Sequence, residues 1–371
     1  MGNSETKSSI VTVDVALEMA EKAAKTVMNS FSTRELPPAN EWHYHQGVYL
    51  YGLQRIWEKT GNQEYFQYLK GYIDNLVDDE GNFLFERDQL DSIQVGILLY
   101  PLLSATSDPK YKKAAHKLRG LYFTLNQTKE GGFWHKDKYP YQMWLDGLFM
   151  AGPFALMYQQ AFHEQGLDEM VLFQEKLMRK NMKDTKTGLL YHAYDESRRM
   201  PWANEDTGCS PEFWGRSVGW YGTALIDILD LLPEDHQGRG ELIQSLQSLI
   251  ESLVKYQDLE TGLWYQIVDK GMEEDNWLES SCSSLFIYTI ARAVEKGYIS
   301  DNQLEVAVRG YQGLLDHMIE IEGDKLTMKG ICIGTSAGVY DYYVSRPVSE
   351  NDLHGVGAFI LASMALEKVL S

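Results

Sequence analysis

The sequence predicts an all-α fold, an (α/α)6 barrel of six helical hairpins with long aromatic loops on one face. Three observations support this prediction: helical periodicity over most of the chain, alternating short and long connections, and a loop pattern that recurs. Twelve segments carry apolar residues at helical spacing, and strand-like alternation is confined to short pieces between them. The twelve are Val11–Phe31, Val48–Lys59, Gln63–Val77, Asp91–Ser104, Pro109–Asn126, Leu145–Phe162, Leu167–Asn181, Ser217–Leu232, Arg239–Gln257, Glu279–Lys296, Asp301–Ile319 and Leu353–Leu370.

The connections between these helices alternate in type. Some are short, such as Lys59-Thr-Gly-Asn-Gln63. The long ones share an acidic or polar turn, a glycine, and then apolar and aromatic residues, which is typical of a turn that leads into a short extended stretch. They are Asp79-Glu-Gly-Asn-Phe-Leu-Phe85, Lys129-Glu-Gly-Gly-Phe-Trp-His135, Thr185-Lys-Thr-Gly-Leu-Leu-Tyr-His192, Leu259-Glu-Thr-Gly-Leu-Trp-Tyr265 and, more weakly, Glu322-Gly-Asp-Lys-Leu-Thr-Met328.

The repeating unit is therefore a helix, a short turn, a second helix and a long loop. Its period drifts, whereas a linear solenoid would keep its period and show capping repeats. A closed ring fits better, with the long loops gathered on one face around a pocket. We find no linker rich in Pro, Gly or Ser, so residues 1–371 are predicted to form one catalytic domain, with about residues 1–12 as a flexible tail.

Composition and charge exclude several classes of protein. Apolar residues make up 44% of the 371 residues, enough for a large core, and 34 basic against 53 acidic residues give a net charge of −19. Such a surface disfavours nucleic acid and anionic lipid, and no stretch of 18 uninterrupted apolar residues predicts a membrane span. We expect no nucleic-acid or membrane partner, and a monomer or weak homo-oligomer. The simplest interpretation of the acidity is solubility.

The cysteines and the N-terminus indicate the compartment. Cys209, Cys282 and Cys332 are far apart and odd in number, so they predict buried free thiols and not a disulfide framework or a zinc site. The start, Met1-Gly-Asn-Ser-Glu-Thr-Lys7, lacks the apolar stretch of a signal peptide and matches a myristoylation start only formally. We therefore expect a cytoplasmic protein.

Residues capable of chemistry gather where the inner helices are expected to begin. Those starts lie near Tyr44, Asp91, Leu145, Arg216, Glu279 and Leu353. The residues there are Tyr44, His45, Asp91, Trp144, Asp146, Trp214, Arg216, Trp220, Glu279, Ser280, Ser281 and His354. If the ring closes, these points converge on one mouth. The alternative for Asp91 and Ser280 is a plain helix cap.

Capping does not explain Arg216, since arginine is disfavoured at the positive end of a helix dipole. Its placement predicts an anionic partner, either a substrate carboxylate gripped at two points or a structural salt bridge.

Many aromatic residues fall on the loops, where flat rings could stack on sugar faces. They are Phe133, Trp134, Tyr139, Tyr141, Trp144, Tyr191, Trp202, Phe213, Trp214, Trp220, Trp264, Tyr265 and Trp277. Any single ring is more simply explained by packing on the barrel rim. The whole set around one mouth favours a saccharide cleft.

Two histidines, His135 and His192, follow recurring loop glycines, which predicts that both face the pocket. Neither belongs to a metal-binding spacing such as HxH or HExxH, so we expect hydrogen bonding to substrate and no metal or cofactor.

Asp146 is the candidate acid. It lies in an aromatic and apolar stretch, and burial there would raise the pKa of its carboxyl toward that of a proton donor, whereas the helix N-terminus would stabilise the anion. Gly147 permits close approach of backbone or ligand. Asp91 holds the equivalent point of the preceding repeat.

At these residues the sequence resembles glycoside hydrolase family 105, the unsaturated rhamnogalacturonyl hydrolases, over nearly the whole chain. The segments that carry the resemblance are Gln142-Met-Trp-Leu-Asp-Gly-Leu-Phe-Met-Ala-Gly-Pro153, Trp214-Gly-Arg-Ser-Val-Gly-Trp220, Trp264-Tyr-Gln-Ile-Val-Asp-Lys270, Glu279-Ser-Ser-Cys-Ser-Ser-Leu-Phe286 and Gly334-Thr-Ser-Ala-Gly-Val-Tyr340. The resemblance implies an (α/α)6 barrel acting on pectin-lyase products that end in a 4,5-unsaturated uronic acid.

The resemblance also implies roles for individual residues. Asp146 would protonate the C4=C5 enol ether and assist water addition at C5, one carboxyl serving as both acid and base, with Asp91 as a supporting carboxylate. His192 and Arg216 would contact the unsaturated sugar, Arg216 at its carboxylate. The pocket wall would be formed by Tyr44, His135, Lys136, Trp144, Met150, Trp214 and Trp220.

Three alternatives stay open. An unsaturated glucuronyl hydrolase acting on fragments of glycosaminoglycan type would share the barrel and the chemistry. A sugar 2-epimerase would rely on a histidine pair. A helical scaffold or sugar-binding module would not need buried carboxylates facing a pocket.

Overall fold

The helices follow the predicted periodicity closely. The computed structural model describes residues 11–83 and 90–371. Its α-helices are α1 (Val13–Ser30), α2 (Tyr44–Thr60), α3 (Gln63–Leu76), α4 (Asp91–Gln94), α5 (Leu99–Thr106), α6 (Pro109–Leu121), α7 (Gly147–Phe162), α8 (Leu167–Met182), α9 (Gly215–Leu231), α10 (Arg239–Tyr256), α11 (Ser280–Glu295), α12 (Leu304–His317), α13 (Tyr340–Val344) and α14 (Leu353–Leu370). Short strands are β1 (Gln142–Trp144), β2 (Ala193–Asp195), β3 (Ile319–Glu322), β4 (Lys325–Met328), β5 (Ile331–Cys332) and β6 (Val348–Ser349).

These helices close into a double ring. Within the described residues, the inner ring runs α2, α4 with α5, α7, α9, α11 and α14, and α14 packs back against α2. Each inner helix carries an outer one: α3, α6, α8, α10, α12 and, against α14, the first helix α1. The sixth pair is therefore made from the two ends of the chain. The predicted (α/α)6 barrel is confirmed.

Burial explains why the inner helices lack a polar face. Residues 353–367 of α14 are all buried, because its neighbours fill one side and α1 covers the other. This helix is long and apolar enough to cross a membrane by length and composition alone, yet it is mostly buried inside the barrel. Outer helices such as α3 bury one stripe, including Tyr65, Leu69 and Tyr72.

The third predicted helix, Asp91–Ser104, is interrupted. A 3₁₀ turn at Val95–Leu98 separates α4 from α5. Pro101 explains the break, because it has no N–H to donate to the carbonyl of Ile97, and its ring would clash with that carbonyl in a continuous α-helix. The turn keeps Asp91 on a short helix of its own.

Two strand pairs shape the pocket face. β1 pairs antiparallel with β2, with Trp144 opposite Ala193, and β5 pairs with β6. β3 and β4 form a hairpin at the weaker loop motif. The strands therefore join loops that are far apart in sequence.

The predicted boundary of the N-terminal tail, at about residue 12, needs one correction. Val11 is buried and the side chain of Thr12 accepts a hydrogen bond from the N–H of Val15, so these two residues belong to the fold and not to a tail. The rest of the predicted tail, and Leu84-Phe85 of the first loop motif, lie outside the described residues. Cys209, Cys282 and Cys332 are free and buried, as predicted.

Candidate active site

A cavity of about 360 Å³ opens at the face where the inner helices begin. Its walls come from the starts of α2, α4 and α7, from the segment before α9, and from the loop around α13. The lining residues are His43, Tyr44, His45, Asp91, His135, Lys136, Tyr139, Trp144, Asp146, Met150, Trp214, Gly334, Thr335, Ser336, Tyr342 and Arg346. Four of the six predicted helix starts thus converge on one mouth.

A second cavity of about 350 Å³ lies at the opposite end of the barrel. The cations there are matched with carboxylates, as in the pairs Lys59–Glu367 and Arg292–Asp230. The first cavity, with its carboxylates and histidines, is therefore the better candidate for chemistry.

Strand pairing brings Asp146 beside His192. The N–H of Leu145 donates to the carbonyl of His192 at 2.8 Å, which continues the β1–β2 ladder. Asp146 Oδ2 then lies 3.3 Å from His192 Nε2, and the contact is not aligned as a full hydrogen bond. Asp146 precedes α7, but its side chain caps no N–H of that helix. Its buried oxygen stays available to a ligand.

A tyrosine contacts the ring nitrogen of His192 that points away from Asp146. Tyr343 Oη lies 2.7 Å from His192 Nδ1 and accepts a hydrogen bond from the N–H of Gly338. A phenol that donates to Nδ1 leaves the proton of a neutral imidazole on Nε2, facing Asp146. Burial lowers the pKa of His192, which favours this neutral form.

The electrostatics of Asp146 differ from the expectation of a raised pKa. Burial does raise the pKa of this carboxyl, but the contact with His192 and the charge of His135 outweigh burial and bring the pKa below its usual value. Asp146 is thus a carboxylate in the free protein at neutral pH. Protonation of Asp146 near neutral pH therefore requires a ligand in the cavity that raises the pKa of its carboxyl.

Asp91 is held by a histidine and a lysine. Its carboxylate lies 3.0 Å from His135 Nε2 and 2.8 Å from Lys136 Nζ. Burial raises the pKa of Asp91, but Lys136 and His135 more than offset this and hold the pKa well below its ordinary value. A backbone hydrogen bond also joins the loop of His135 to the start of α4, since the N–H of Leu90 donates to the carbonyl of His135. Asp91 is therefore not a helix cap.

Gly147 permits this close packing. A Cβ at this position would lie 2.9 Å from Leu90 and 3.5 Å from His135 Nδ1. A side chain there would push apart the loop that carries His135 and the helix that follows Asp146.

Aromatic rings enclose the carboxylates. Trp144 stacks on His135 with ring centres 4.5 Å apart and on Tyr139 at 4.8 Å. Trp214 packs on His192 at 4.5 Å. The predicted aromatic wall exists at the mouth, although Trp264 is fully buried in the core.

Arg216 lies behind the cavity wall, not in it. It is 1% exposed, and its guanidinium donates to the carbonyl oxygens of Cys332 at 2.6 Å and Ile333 at 2.7 Å. Backbone carbonyls thus supply the negative partner for which the sequence predicted a carboxylate. This arginine holds the segment after β5 against α9.

The structure places eight of the eleven predicted site residues in the cavity wall. They are Tyr44, Asp91, His135, Lys136, Trp144, Asp146, Met150 and Trp214. His192 and Arg216 lie one layer behind. Trp220 was expected in the wall, but it is fully buried and stacks on Phe149 at 4.5 Å. Trp220 lies about one and a half turns after the start of α9, and at this position its side chain packs in the barrel core.

Sequence reasoning missed several residues of the cavity. His43 and the loop residues Thr335, Ser336, Tyr342 and Arg346 line it, and Tyr343 reaches it through His192. Arg346 Nε donates to Thr335 Oγ1 at 3.1 Å. Tertiary folding alone brings this distant loop to the mouth; the Gly334-Thr-Ser segment was the single available signal.

The model of the protein family described as Glycosyl Hydrolase Family 88 matches residues 19–370 of this chain. A solved family 105 glycoside hydrolase from C. acetobutylicum ATCC 824 is 35% identical, with a TM-score of 0.89 over 94% of this chain and 99% of that one. The unsaturated rhamnogalacturonyl hydrolase YesR of Bacillus subtilis (strain 168) is 28% identical over 275 residues, 71% of this chain and 74% of YesR.

A more distant structure shares the fold. The unsaturated glucuronyl hydrolase from Bacillus sp. GL1 is 14% identical, with a TM-score of 0.74 over 96% of this chain and 97% of that one.

Proposed function

The chain belongs to glycosyl hydrolase family 88, and we propose that it removes 4,5-unsaturated galacturonic acid from the non-reducing end of rhamnogalacturonan oligosaccharides, the fragments left by pectin lyases. The resemblance to family 105 is confirmed, and the chain is a glycoside hydrolase that acts on an oligosaccharide. The name of its relative YesR supports the rhamnogalacturonyl preference.

One observation carries the proposal: the cavity holds a buried carboxylate, Asp146, whose Oδ2 has no aligned hydrogen-bond partner in the described residues. Asp91, the nearest carboxylate of the wall, is committed to His135 and Lys136. Lys136 thus balances the charge of Asp91, whereas Asp146 has no lysine or arginine partner among the described residues. One carboxylate without such a partner fits hydration of a double bond better than direct displacement.

The reaction follows from that carboxyl. Protonated Asp146 gives its proton to C4 of the C4=C5 enol ether, and the ring oxygen stabilises the cation at C5. The Asp146 carboxylate then accepts a proton from water as the water oxygen bonds to C5, which restores the acid. The C5 hemiketal opens to a ketone, C1 becomes a hemiacetal, and the C1–O bond to the next sugar breaks.

Substrate binding supplies the acid form of Asp146. A uronate carboxylate that enters the cavity places a second negative charge near Asp146 and excludes water, and both effects raise the pKa of the carboxyl. Because the pKa is low in the free protein, we expect kcat/KM to rise as the pH falls from neutral toward mildly acidic values.

Cations around the mouth fit an anionic substrate despite the net charge of −19. Lys136 and Arg346 line the cavity and can meet the uronate carboxylate. Arg216 supports them from behind, because it holds the carbonyls of Cys332 and Ile333 next to the loop that bears Thr335.

The test is loss of the enol-ether absorbance. Unsaturated galacturonyl-rhamnose and an unsaturated glucuronyl disaccharide of glycosaminoglycan type are each incubated with the protein, and absorbance near the enol-ether band is followed. We expect faster loss with the galacturonyl substrate. Faster loss with the glucuronyl substrate would reassign the specificity, and no loss with either would refute the proposed chemistry.

A further inference from the structure

Three side chains form a compact cluster at the edge of the cavity, and none of them takes part in the proton transfers proposed above. His45 lies in the first turn of α2, Asp352 directly before α14, and His354 in the first turn of α14. Asp352 Oδ1 lies 3.1 Å from His45 Nδ1 and 2.8 Å from His354 Nδ1. The three ligand atoms all lie within 4.8 Å of one another. His45 itself lines the cavity.

Both ring nitrogens of His354 face oxygen atoms, so a proton or a cation is required at each of them. Its Nε2 lies 3.1 Å from the carbonyl oxygen of Cys332, so Nε2 must carry a proton. A neutral imidazole then has only a lone pair on Nδ1. That lone pair would face the carboxylate oxygen of Asp352 at 2.8 Å, although His354 is fully buried and its Nδ1 has no aligned hydrogen-bond partner among the described residues. Either a shared proton or a metal ion must lie there.

We propose that His45, Asp352 and His354 form a binding site for a divalent transition-metal ion at the rim of the cavity. Two imidazole nitrogens and one carboxylate oxygen are a donor set that suits Zn²⁺ and its neighbours in the first transition row. With three protein ligands, the ion keeps a position for water or another oxygen ligand.

The second ring nitrogen of His354 supports this assignment. Histidines that bind metal commonly donate their other N–H to a carbonyl or carboxylate, which fixes the tautomer and aims the free nitrogen at the ion. The carbonyl of Cys332 takes that role here, and the guanidinium of Arg216 donates to the same oxygen.

The local field sets the strength of binding. Arg216 and the N-termini of α2 and α14 oppose a cation, and one carboxylate, Asp352, favours it. We therefore expect weaker binding than at structural zinc sites with several thiolate ligands. A bound ion would tie α2 to α14 and raise the melting temperature of the folded chain.

The test uses the full-length protein after chelator treatment and without substrate. Zn²⁺ is titrated by calorimetry, and Co²⁺ by its visible absorption. We expect one equivalent to bind, and removal of one of the three ligands by H45A or D352N to weaken binding at least about tenfold. H45A changes a partly exposed side chain, so circular dichroism is expected to show a folded protein even if D352N is unstable.

A matched control is the surface pair His236–Asp168, whose atoms lie 3.2 Å apart without a second histidine. H236A is expected to bind Zn²⁺ and Co²⁺ as the unchanged protein does. The proposal is overturned if the unchanged protein takes up no ion, in which case the buried pair shares a proton, or if H45A binds as tightly as the unchanged protein. Since no substrate is present, failure here leaves the proposed hydrolysis untouched.

Discussion

Replacement of Asp146 by Asn is the sharpest perturbation of the proposed chemistry. The amide has the size of the carboxyl but can neither deliver nor accept the proton. The side chain caps no helix N–H, and the amide oxygen can keep the contact that His192 Nε2 now makes at 3.3 Å. We therefore expect the fold and the cavity to be preserved.

The magnitude follows from the number of proton transfers that Asp146 performs. A positioned acid or base contributes roughly 10² to 10⁴ in rate. Asp146 acts as both acid and base, and Asp91 is paired with Lys136 and His135, so no second carboxyl replaces it. We expect a loss near the upper end, about 10⁴ in kcat, which corresponds to about 5.4 kcal/mol of activation free energy.

The assay follows loss of enol-ether absorbance from unsaturated galacturonyl-rhamnose by D146N and by the control D168N. Asp168 is a partly exposed carboxylate on the outer helix α8, and its variant is expected to keep the activity. Thermal unfolding checks that both variants fold. If folded D146N retained more than about a tenth of the rate, the single-carboxyl mechanism would be wrong, because even one lost transfer costs more than that.

Three further predictions concern the neighbours of Asp146. D91N removes one partner of a buried pair with Lys136 and should destabilise the protein by about 3–5 kcal/mol at neutral pH. Because the folded-state pKa of Asp91 is lowered, this stability is present above the unfolded pKa of about 3.9 and is progressively lost as the pH falls below it. Urea unfolding near pH 3 should therefore show a smaller difference in unfolding free energy between D91N and the unchanged protein than at neutral pH. An equal difference at the two pH values would contradict the pairing. Y343F frees the tautomer of His192 and should lower kcat about tenfold with KM little changed, whereas a change confined to KM would exclude this orienting role. R346A should raise KM about tenfold while kcat stays near that of the unchanged protein, measured as initial rates against substrate concentration; an unaltered KM would remove Arg346 from carboxylate binding.

The sequence determined the barrel and the face that carries the site. Helical periodicity is a local property, so it located the helices and the six inner starts. Among the described inner helices, the stretch before Pro101 departs from a continuous helix. The recurring glycine loops likewise placed His135 at the same mouth as Asp146, which lies at one of those starts, because ring closure brings equivalent loops together.

Tertiary structure decided what each side chain does there. Whether Asp146 is an acid or a carboxylate depends on His192 and His135, which strand pairing and loop packing bring beside it from other parts of the chain. Arg216 meets carbonyls of a segment more than a hundred positions away, and Trp220 turns into the core because of its position on α9. Periodicity shows the helix on which a residue lies, but its burial, its pKa and its protonation state depend on partners across the ring.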